Sequence, residues 1–445
     1  MLRLRARAIG AAMLCVAAVP AHTHAEELPS WYPQFLGAQA TAIGQRLLPF
    51  SSPYSGPHSL EADGDTALTH TYGAYFGAQL GARLQGYLDV EMARGHGIGN
   101  AVGLGGITNG DVIRQGTADL GRGPYLARAY LRYLEPIGDE IQTRERGQDQ
   151  LPGVEPARRV EVKLGLLAAT DDFDLNRYAN DTRTQFMNWG LINDTAWDYA
   201  ADTRGYTRGI VVGYVSPTWS LRAGSYQMPT QANGNSFDGA LSEARGDNLE
   251  LTVQPAAQGT VARLLAYQNH ARMGVYRDAL DLAQASGTAP DVRADERPGR
   301  RKFGFGLNLE QPLADEGETG AFLRWGWNDG RTESFAFTEV DGALGGGVQI
   351  AGRRWGRDED RIGIGVVRHT LSADHRDYLA AGGSGFLLGD GRLNYGPEEI
   401  LEAYYRIQLG ASLQLSPDLQ YIENPGYNRD RGPAQVYSLR LHIAL

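Results

Sequence analysis

The sequence is poor in cysteine, in lysine and in long hydrophobic runs. Its one cysteine, Cys15, lies in the N-terminal segment, so the rest of the chain has no thiol for disulfides, thiolate metal sites or a cysteine nucleophile. After residue 25 no apolar stretch approaches the ~20 residues that a membrane-spanning helix needs. If the protein lies in a membrane, it must therefore be a closed β-barrel, because only helices and barrels satisfy their own backbone hydrogen bonds in lipid.

The N-terminal residues 1–25 have the pattern of a secretory signal peptide. Arg3, Arg5 and Arg7 precede the short apolar run Ile9–Val19, and small residues at Ala21 and Ala25 offer cleavage sites. A permanent helical anchor is the weaker interpretation, since the run is too short to cross a bilayer. We therefore expect a mature chain of residues 26–445 that forms one domain.

Alternation of apolar and polar residues is clearest in the last segment, Val436–Leu445. Every second residue from Tyr437 to Leu445 is apolar, whereas Ser438, Arg440 and His442 point the other way. The ten residues match the ~9–11 that a tilted strand needs to cross the hydrocarbon layer. One face suits lipid and the other suits water.

Similar segments recur along the chain and predict an all-β, transmembrane antiparallel barrel of about sixteen strands. Long connections fall in the odd positions and short ones in the even positions, as expected for external loops and periplasmic turns when both termini lie in the periplasm. Two connections depart from this rule: the turn 137–158 is long and the loop 329–334 is short. The predicted strands are 35–47, 67–79, 83–93, 125–136, 159–168, 207–216, 219–227, 247–254, 259–269, 301–310, 319–328, 335–351, 360–369, 399–409, 411–422 and 436–445.

Several blocks along the chain resemble the carbohydrate-selective porins of the OprB family. They include Asn394-Tyr395-Gly396-Pro397-Glu398, Leu415-Ser416-Pro417-Asp418 and Gln185-Phe186-Met187-Asn188-Trp189, in the family's order. The resemblance covers nearly the whole mature chain. It implies a barrel of sixteen strands in the outer membrane of a Gram-negative bacterium, with long external loops partly folded inward around a channel for passive sugar diffusion.

The expected partners follow from this interpretation. They are neutral sugars, outer-membrane lipid and the outer-membrane assembly machinery, which would recognise Val436–Leu445. The chain ends in Leu445, where outer-membrane proteins commonly have an aromatic residue. The sequence leaves open whether the barrel is a monomer or a homotrimer. Nucleic-acid binding is not expected, because the net charge is -10 and no basic run occurs beyond the first residues.

A sugar channel needs polar groups for hydroxyls and flat rings for the C–H faces of the sugar. Arginine suits the first need because its planar fork can pair with a carboxylate and still donate to hydroxyls. Charges on an inner wall can also pair simply to remain solvated, and that alternative holds for each candidate. The candidate pore-lining and sugar-contacting residues are Arg83, Asp89, Glu91, Arg128, Arg132, Arg222, Glu250, Arg263, Arg324, Glu402 and Arg406.

The long loop Thr170–Gly205 is the predicted constriction, because carboxylates, amides and aromatic rings meet in it. Its clustered aspartates could instead hold Ca²⁺, but the regular ligand spacing of a calcium loop is absent, so no metal or other cofactor is expected. The candidate constriction residues are Asp171, Asp172, Asp174, Asn176, Arg177 and Trp189.

Other functions are supported less well. A general porin for small polar solutes is the nearest alternative, followed by a barrel hydrolase or an adhesin. Ser438 and His442 share a strand face, but no acidic partner is indicated, so the sequence predicts no enzyme.

Overall fold

The computed structural model describes residues 35–112, 120–255, 259–336 and 338–445. Sixteen antiparallel strands close into one barrel, in which each strand pairs with its barrel neighbours and the last pairs with the first. The predicted signal peptide lies outside the described residues. The barrel strands are β1 Phe35–Leu47, β2 Asp65–Gln79, β3 Leu84–Gly95, β4 Tyr125–Pro136, β7 Arg159–Leu167, β8 Thr207–Val215, β9 Trp219–Gln227, β10 Arg245–Val253, β11 Val261–Met273, β12 Arg297–Ala314, β13 Thr319–Asn328, β14 Gly342–Ala351, β15 Arg361–Thr370, β16 Glu398–Gln408, β17 Leu413–Glu423 and β18 Ala434–Ala444.

Two further strands, β5 Ile141–Arg144 and β6 Gly153–Pro156, form a separate hairpin in the connection between β4 and β7. This hairpin accounts for the unusual length of the predicted turn 137–158. We call the connection the periplasmic hairpin.

The barrel wall has an apolar outer face and a polar inner face. On β18, Tyr437, Leu439 and Leu441 are exposed, whereas Arg440 and His442 are buried inside. Tryptophans and tyrosines near strand ends are also exposed, as expected of an interfacial girdle: Trp219, Trp325, Trp327, Tyr421 and Tyr437. The outer face therefore suits lipid contact, and the predicted fold class is confirmed.

All sixteen predicted segments are strands, with one marked boundary error. The strand predicted to begin at 335 begins at Gly342. Phe335 and Ala336 instead donate their backbone N–H groups to the Asp198 carboxylate, so they cannot join the strand ladder. The sixth external loop is therefore longer than the sequence suggests.

The helices are short and lie in the connections. The α-helices are α1 Trp189–Ile192, α2 Tyr276–Ser286 and α3 Ala373–Ala380, and short 3-10 helices occupy Ile98–Asn100, Ala169–Asp171, Val292–Asp295, Asp315–Gly317, Gly352–Trp355 and Pro425–Tyr427. Helices α2 and α3 pack through Tyr276 and His375, whose rings stack with centroids 4.3 Å apart. In the described part of the chain, no helix is long and apolar enough to span a membrane.

The buried core lies between the inner wall and the chain that fills the lumen. The connection between β7 and β8, residues 168–206, folds inside the barrel, and its Phe173, Tyr178, Phe186 and Trp197 are almost fully buried. We call it the inserted loop. Its presence inside the barrel gives the channel its shape.

Candidate channel constriction

The inserted loop is held by inner-wall side chains that bind its backbone. Arg440 of β18 donates to the carbonyl oxygens of Thr182 and Gln185 at 2.6 and 2.8 Å. Glu402 of β16 accepts hydrogen bonds from the backbone N–H groups of Met187 and Asn188. These charges therefore act as anchors for the loop.

Asp174 forms a second anchor on the opposite part of the wall. Its backbone N–H donates to Glu250 at 2.7 Å, and its carboxylate lies 3.1 Å from Nε of Arg324. Asn308 donates to the same carboxylate at 2.6 Å. Asp174 has φ 57°, a left-handed conformation that aspartate tolerates better than most residues.

Beside the inserted loop, a cavity of about 620 Å³ remains open. Strands β2, β3, β4 and β7 supply one side, and the inserted loop, the periplasmic hairpin and residues 110–112 of the connection between β3 and β4 supply the rest. Acidic and basic groups are nearly balanced around it. The charged lining residues are Glu91, Asp111, Asp149, Glu161, Asp171, Asp181, Arg128, Arg132, Lys163, Arg183 and Arg204.

Three carboxylates converge on Arg128. Asp171 of the inserted loop lies 2.6 Å from Nε, Asp89 of β3 lies 3.1 Å from Nη1, and Asp149 of the periplasmic hairpin lies 3.5 Å from Nε. Burial, together with the Asp171 carboxylate, raises the pKa of Asp149 to about 6, although Arg128 and Lys163 oppose the shift. Three separate segments thus meet at one guanidinium.

Arg183 of the inserted loop forms a second charged cluster. It pairs with Asp111 at 2.8 Å and with Glu91 at 3.3 Å, and Tyr206 donates to the other oxygen of Glu91. Burial would lower the pKa of Arg183, but Asp111 and Glu91 hold it well above the ordinary value. Burial raises the pKa of Asp111, although the Arg183 guanidinium opposes the shift.

Aromatic rings lie among these charges. The guanidinium of Arg128 lies 5.2 Å from the ring centre of Tyr206, and that of Arg204 lies 4.8 Å from the ring centre of Tyr125. Trp189 is partly buried at the cavity and donates to Asn193 at 3.1 Å. The cavity therefore combines hydrogen-bonding groups with flat apolar surfaces.

The candidate pore-lining and constriction residues differ in where they lie, and only some of them line the cavity. Glu91, Arg128, Arg132, Asp171 and Trp189 line the cavity. Asp89 is fully buried behind Arg128. The placement of the five lining side chains is compatible with sugar contact, which remains a prediction, whereas Asp89 is covered and its sugar-contact prediction is corrected.

Other candidates point inward but lie under the inserted loop. Glu250, Arg324 and Glu402 are all less than 5% exposed and serve the anchors described above. A side chain covered in this way cannot contact a passing sugar, so the pore-lining prediction is corrected for all three. Alternation along a strand shows which side a residue faces but not what covers it.

Arg83 is also placed differently from the prediction. It lies in the turn before β3 and pairs with Glu135 at 2.5 Å, with about half of its side chain exposed. Tyr133, its other neighbour, is exposed on the outer face. Arg83 is therefore a rim residue, because the turn carries its side chain away from the lumen.

The remaining candidates form local pairs away from the cavity. Arg263 pairs with Glu310 at 2.5 Å, and Arg222 donates to Ser220 at 3.1 Å. Arg406 lies on the inner face of β16, where its guanidinium reaches the Glu359 carbonyl oxygen at 3.5 Å. These three residues belong to the inner wall outside the 620 Å³ cavity.

The constriction candidates have defined partners too. Asp172 pairs with Lys163 at 2.6 Å, and Asn176 donates to Asn308 at 2.7 Å. Arg177 pairs at 2.8 Å with Glu318, which lies in the turn between β12 and β13. Within the described ranges, no group of three or more His, Cys, Asp or Glu residues could hold a metal ion.

Sequence reasoning missed several cavity residues. Glu161 and Lys163 carry a usable signal, since they alternate with valines on β7 and share the face of the cavity. Asp149 carries no such signal, because it lies outside regular alternation in a connection. Arg183 lies within the predicted constriction loop but has no local pattern that distinguishes it from Arg177.

The closed barrel, its apolar outer face and its polar inner face define an outer-membrane channel protein. The carbohydrate-selective porin family OprB matches residues 89–445, and the chain belongs to this family. The resemblance seen in the sequence is thereby confirmed. No curated protein sequence matches the chain.

Similarity to a solved structure supports the fold. The high-pH structure of OprB from Pseudomonas putida is similar with a TM-score of 0.67 and 15% identity, covering 93% of this chain and 94% of that one. The low-pH structure of the same protein has a TM-score of 0.47 and 13% identity, covering 93% of each chain. Salmonella typhi OmpF, in complex with daunomycin, has a TM-score of 0.48 and 10% identity, covering 92% of this chain and 97% of that one.

Proposed function

We propose that the barrel conducts neutral sugars passively into the periplasm through the cavity around Arg128 and Arg183. The observation that supports this is the mixed lining, in which acidic and basic side chains alternate with tyrosines around about 620 Å³. Charges paired with one another still present hydrogen-bonding edges to hydroxyls, while no single site binds so tightly that a solute cannot leave.

The same lining explains a preference for neutral solutes. A strongly charged solute meets groups of both signs, and it must lose water without gaining one matched partner. The tyrosine rings offer flat surfaces to the C–H faces of a sugar.

We propose further that the chain is a channel without catalytic activity and without a bound cofactor. Ser438 accepts a hydrogen bond from Gln45 at 3.1 Å, and His442 pairs with Thr41 at 2.9 Å. Asp418 hydrogen-bonds Ser438 rather than His442, which is not the arrangement of a catalytic triad. Asp171, Asp172 and Asp174 of the inserted loop pair with Arg128, Lys163 and Arg324, which supports the absence of a calcium site.

Liposome swelling with neutral sugars tests the transport proposal. Liposomes that contain the protein should swell in glucose faster than empty ones, and faster than in charged solutes of equal size. Replacing Arg128 with alanine should change the glucose rate severalfold, because it releases three carboxylates at the cavity. Absence of any sugar permeability in the unmodified protein would overturn the proposal.

A matched control separates the constriction from the wall. Arg222→Ala removes an arginine from the inner face outside the cavity, so it should leave the swelling rate close to that of the unmodified protein. Equal effects of Arg128→Ala and Arg222→Ala would show that neither residue acts through sugar contact.

We also propose that the assembly machinery recognises Val436–Leu445 and that the barrel acts as a monomer or a homotrimer. The exposed apolar residues of β18 support the first proposal. Truncating the chain before Val436 should abolish insertion, and the mass of the detergent complex distinguishes one barrel from three.

A further inference from the structure

The periplasmic hairpin folds back into the lumen. Its strands pair from Ile141 with Pro156 to Arg144 with Gly153, and the residues between them form the tip. Leu151 near the tip is buried beside Tyr87 and Tyr130 of the wall. A connection that only joined two strands would not bury a leucine among inner-wall rings.

Several polar contacts fix the hairpin in this position. Glu155 of β6 is buried and pairs with Arg132 of the wall and with Arg144 of β5. Arg146 donates to the carbonyl oxygen of Leu36 at 2.5 Å and lies 3.4 Å from that of Leu445. The hairpin is thus tied both to the wall at β4 and to the barrel seam at β1 and β18.

The tip forms part of the cavity lining. Gln148, Asp149 and Gln150 face the same cavity as the inserted loop. Asp149 approaches Arg128 from the periplasmic side, and Asp171 approaches it from the inserted loop. The hairpin and the inserted loop therefore meet at the constriction from opposite ends of the barrel.

The charges at this point do not cancel. One guanidinium faces three carboxylates, those of Asp89, Asp149 and Asp171. Asp149 and Asp171 keep part of their side chains exposed, so their carboxylates present an unfavourable field to anions in the cavity.

We propose that the periplasmic hairpin is a selectivity element, and that Asp149 at its tip excludes anionic sugars such as sugar acids while neutral sugars pass. This inference rests on the sugar-channel function proposed above. A charge on a tip that lines the cavity can repel an anion that passes beside it.

The test compares glucuronate with glucose in liposome flux, using the full-length protein. Asp149→Asn keeps the size of the side chain but removes its charge. It should raise the ratio of glucuronate to glucose permeation about fivefold, the effect of one unit charge at ~4 Å in an aqueous pore. In a KCl gradient, the reversal potential should shift towards anion preference.

Glu145→Gln is the matched control. It removes one negative charge from the same hairpin, but Glu145 is exposed and does not line the cavity. The ratio of glucuronate to glucose permeation should therefore remain unchanged in Glu145→Gln. Asp149→Ser, a second neutral variant, should reproduce the effect of Asp149→Asn if charge is the cause.

The outcomes separate this inference from the sugar-channel function. Glucose flux in the unmodified protein with an unchanged glucuronate ratio in both Asp149 variants would overturn the inference and leave the function intact. A parallel rise in both fluxes would also overturn it, because it would indicate a wider pore. Failure of the unmodified protein to conduct glucose would overturn the function itself.

Discussion

Glycines on the inner wall allow the inserted loop to lie directly against the strands. A Cβ atom at Gly326 would lie 1.8 Å from Oδ1 of Asp194, and one at Gly320 would lie 2.1 Å from the ring of Tyr178. Real Cβ atoms do not approach so closely, and dense interiors do not yield easily. Close contact between wall and loop thus explains part of the glycine content, which is 58 of 445 residues.

We expect Gly326→Ala to destabilise the protein by about 1–3 kcal/mol, because the added methyl group overpacks the contact with Asp194. The midpoint of thermal unfolding in detergent, followed by tryptophan fluorescence, measures the effect. Gly44→Ala is the control, since a Cβ there meets nothing within 4 Å. Equal midpoints for the two variants would show that the loop moves away without cost.

Strands were predictable from the sequence because each one has one face towards lipid and the other towards the lumen. In β18 the lipid face and the lumen face impose a two-residue alternation that local sequence records directly. The inward direction of Glu402 and Arg324 follows from the same rule. Their coverage by the inserted loop does not, since it depends on contacts with residues more than a hundred positions away.

The position of the periplasmic hairpin also could not be predicted from local sequence. Its length was visible as an exception among short turns, but no periodicity in 137–158 predicts that the tip enters the lumen. The contact between Asp149 and Arg128 arises from tertiary packing around Leu151. Prediction therefore succeeded for the wall and failed for the segments that fill it.

The titration of Asp149 predicts a pH-dependent selectivity. Its pKa of about 6 lies above the ordinary value of 3.8, so the folded protein favours the neutral form. The contribution of Asp149 to the stability of the folded protein is therefore fully present below pH 3.8 and is lost as the pH rises through about 6. Arg128, Asp89, Asp171 and Lys163 face the group and set its charge balance.

Lowering the pH from 7.5 to 5 should therefore raise the ratio of glucuronate to glucose flux, because Asp149 loses its charge while glucuronate stays largely ionised. The expected rise is about fivefold, as for removal of the charge by substitution. Asp149→Asn should remove this dependence, whereas Glu145→Gln should retain it. A pH response that persists in Asp149→Asn would assign the titration to another group.

At the scale of the whole molecule, the barrel depends on pairing between the two ends of the described chain. Strands β1 and β18 pair without a register shift from Gln39 with Ala444 to Leu47 with Val436. The hairpin strengthens the same seam through Arg146, which contacts carbonyl groups of Leu36 and Leu445. Closure removes the two unpaired edges that an open sheet would expose.

A cross-strand disulfide tests this closure. Ala42 lies directly opposite Leu441, and directly opposite residues in antiparallel strands have Cα atoms ~4.5–5.5 Å apart, within the range that a disulfide bridges. We expect Ala42→Cys combined with Leu441→Cys to form a bond under oxidising conditions, so that the heat-denatured chain migrates faster on a gel until it is reduced. Each single variant should show no such change. Ala42→Cys with Leu439→Cys is the offset control, because Leu439 lies opposite Gly44; preferential cross-linking of that pair would mean that the seam closes in another register.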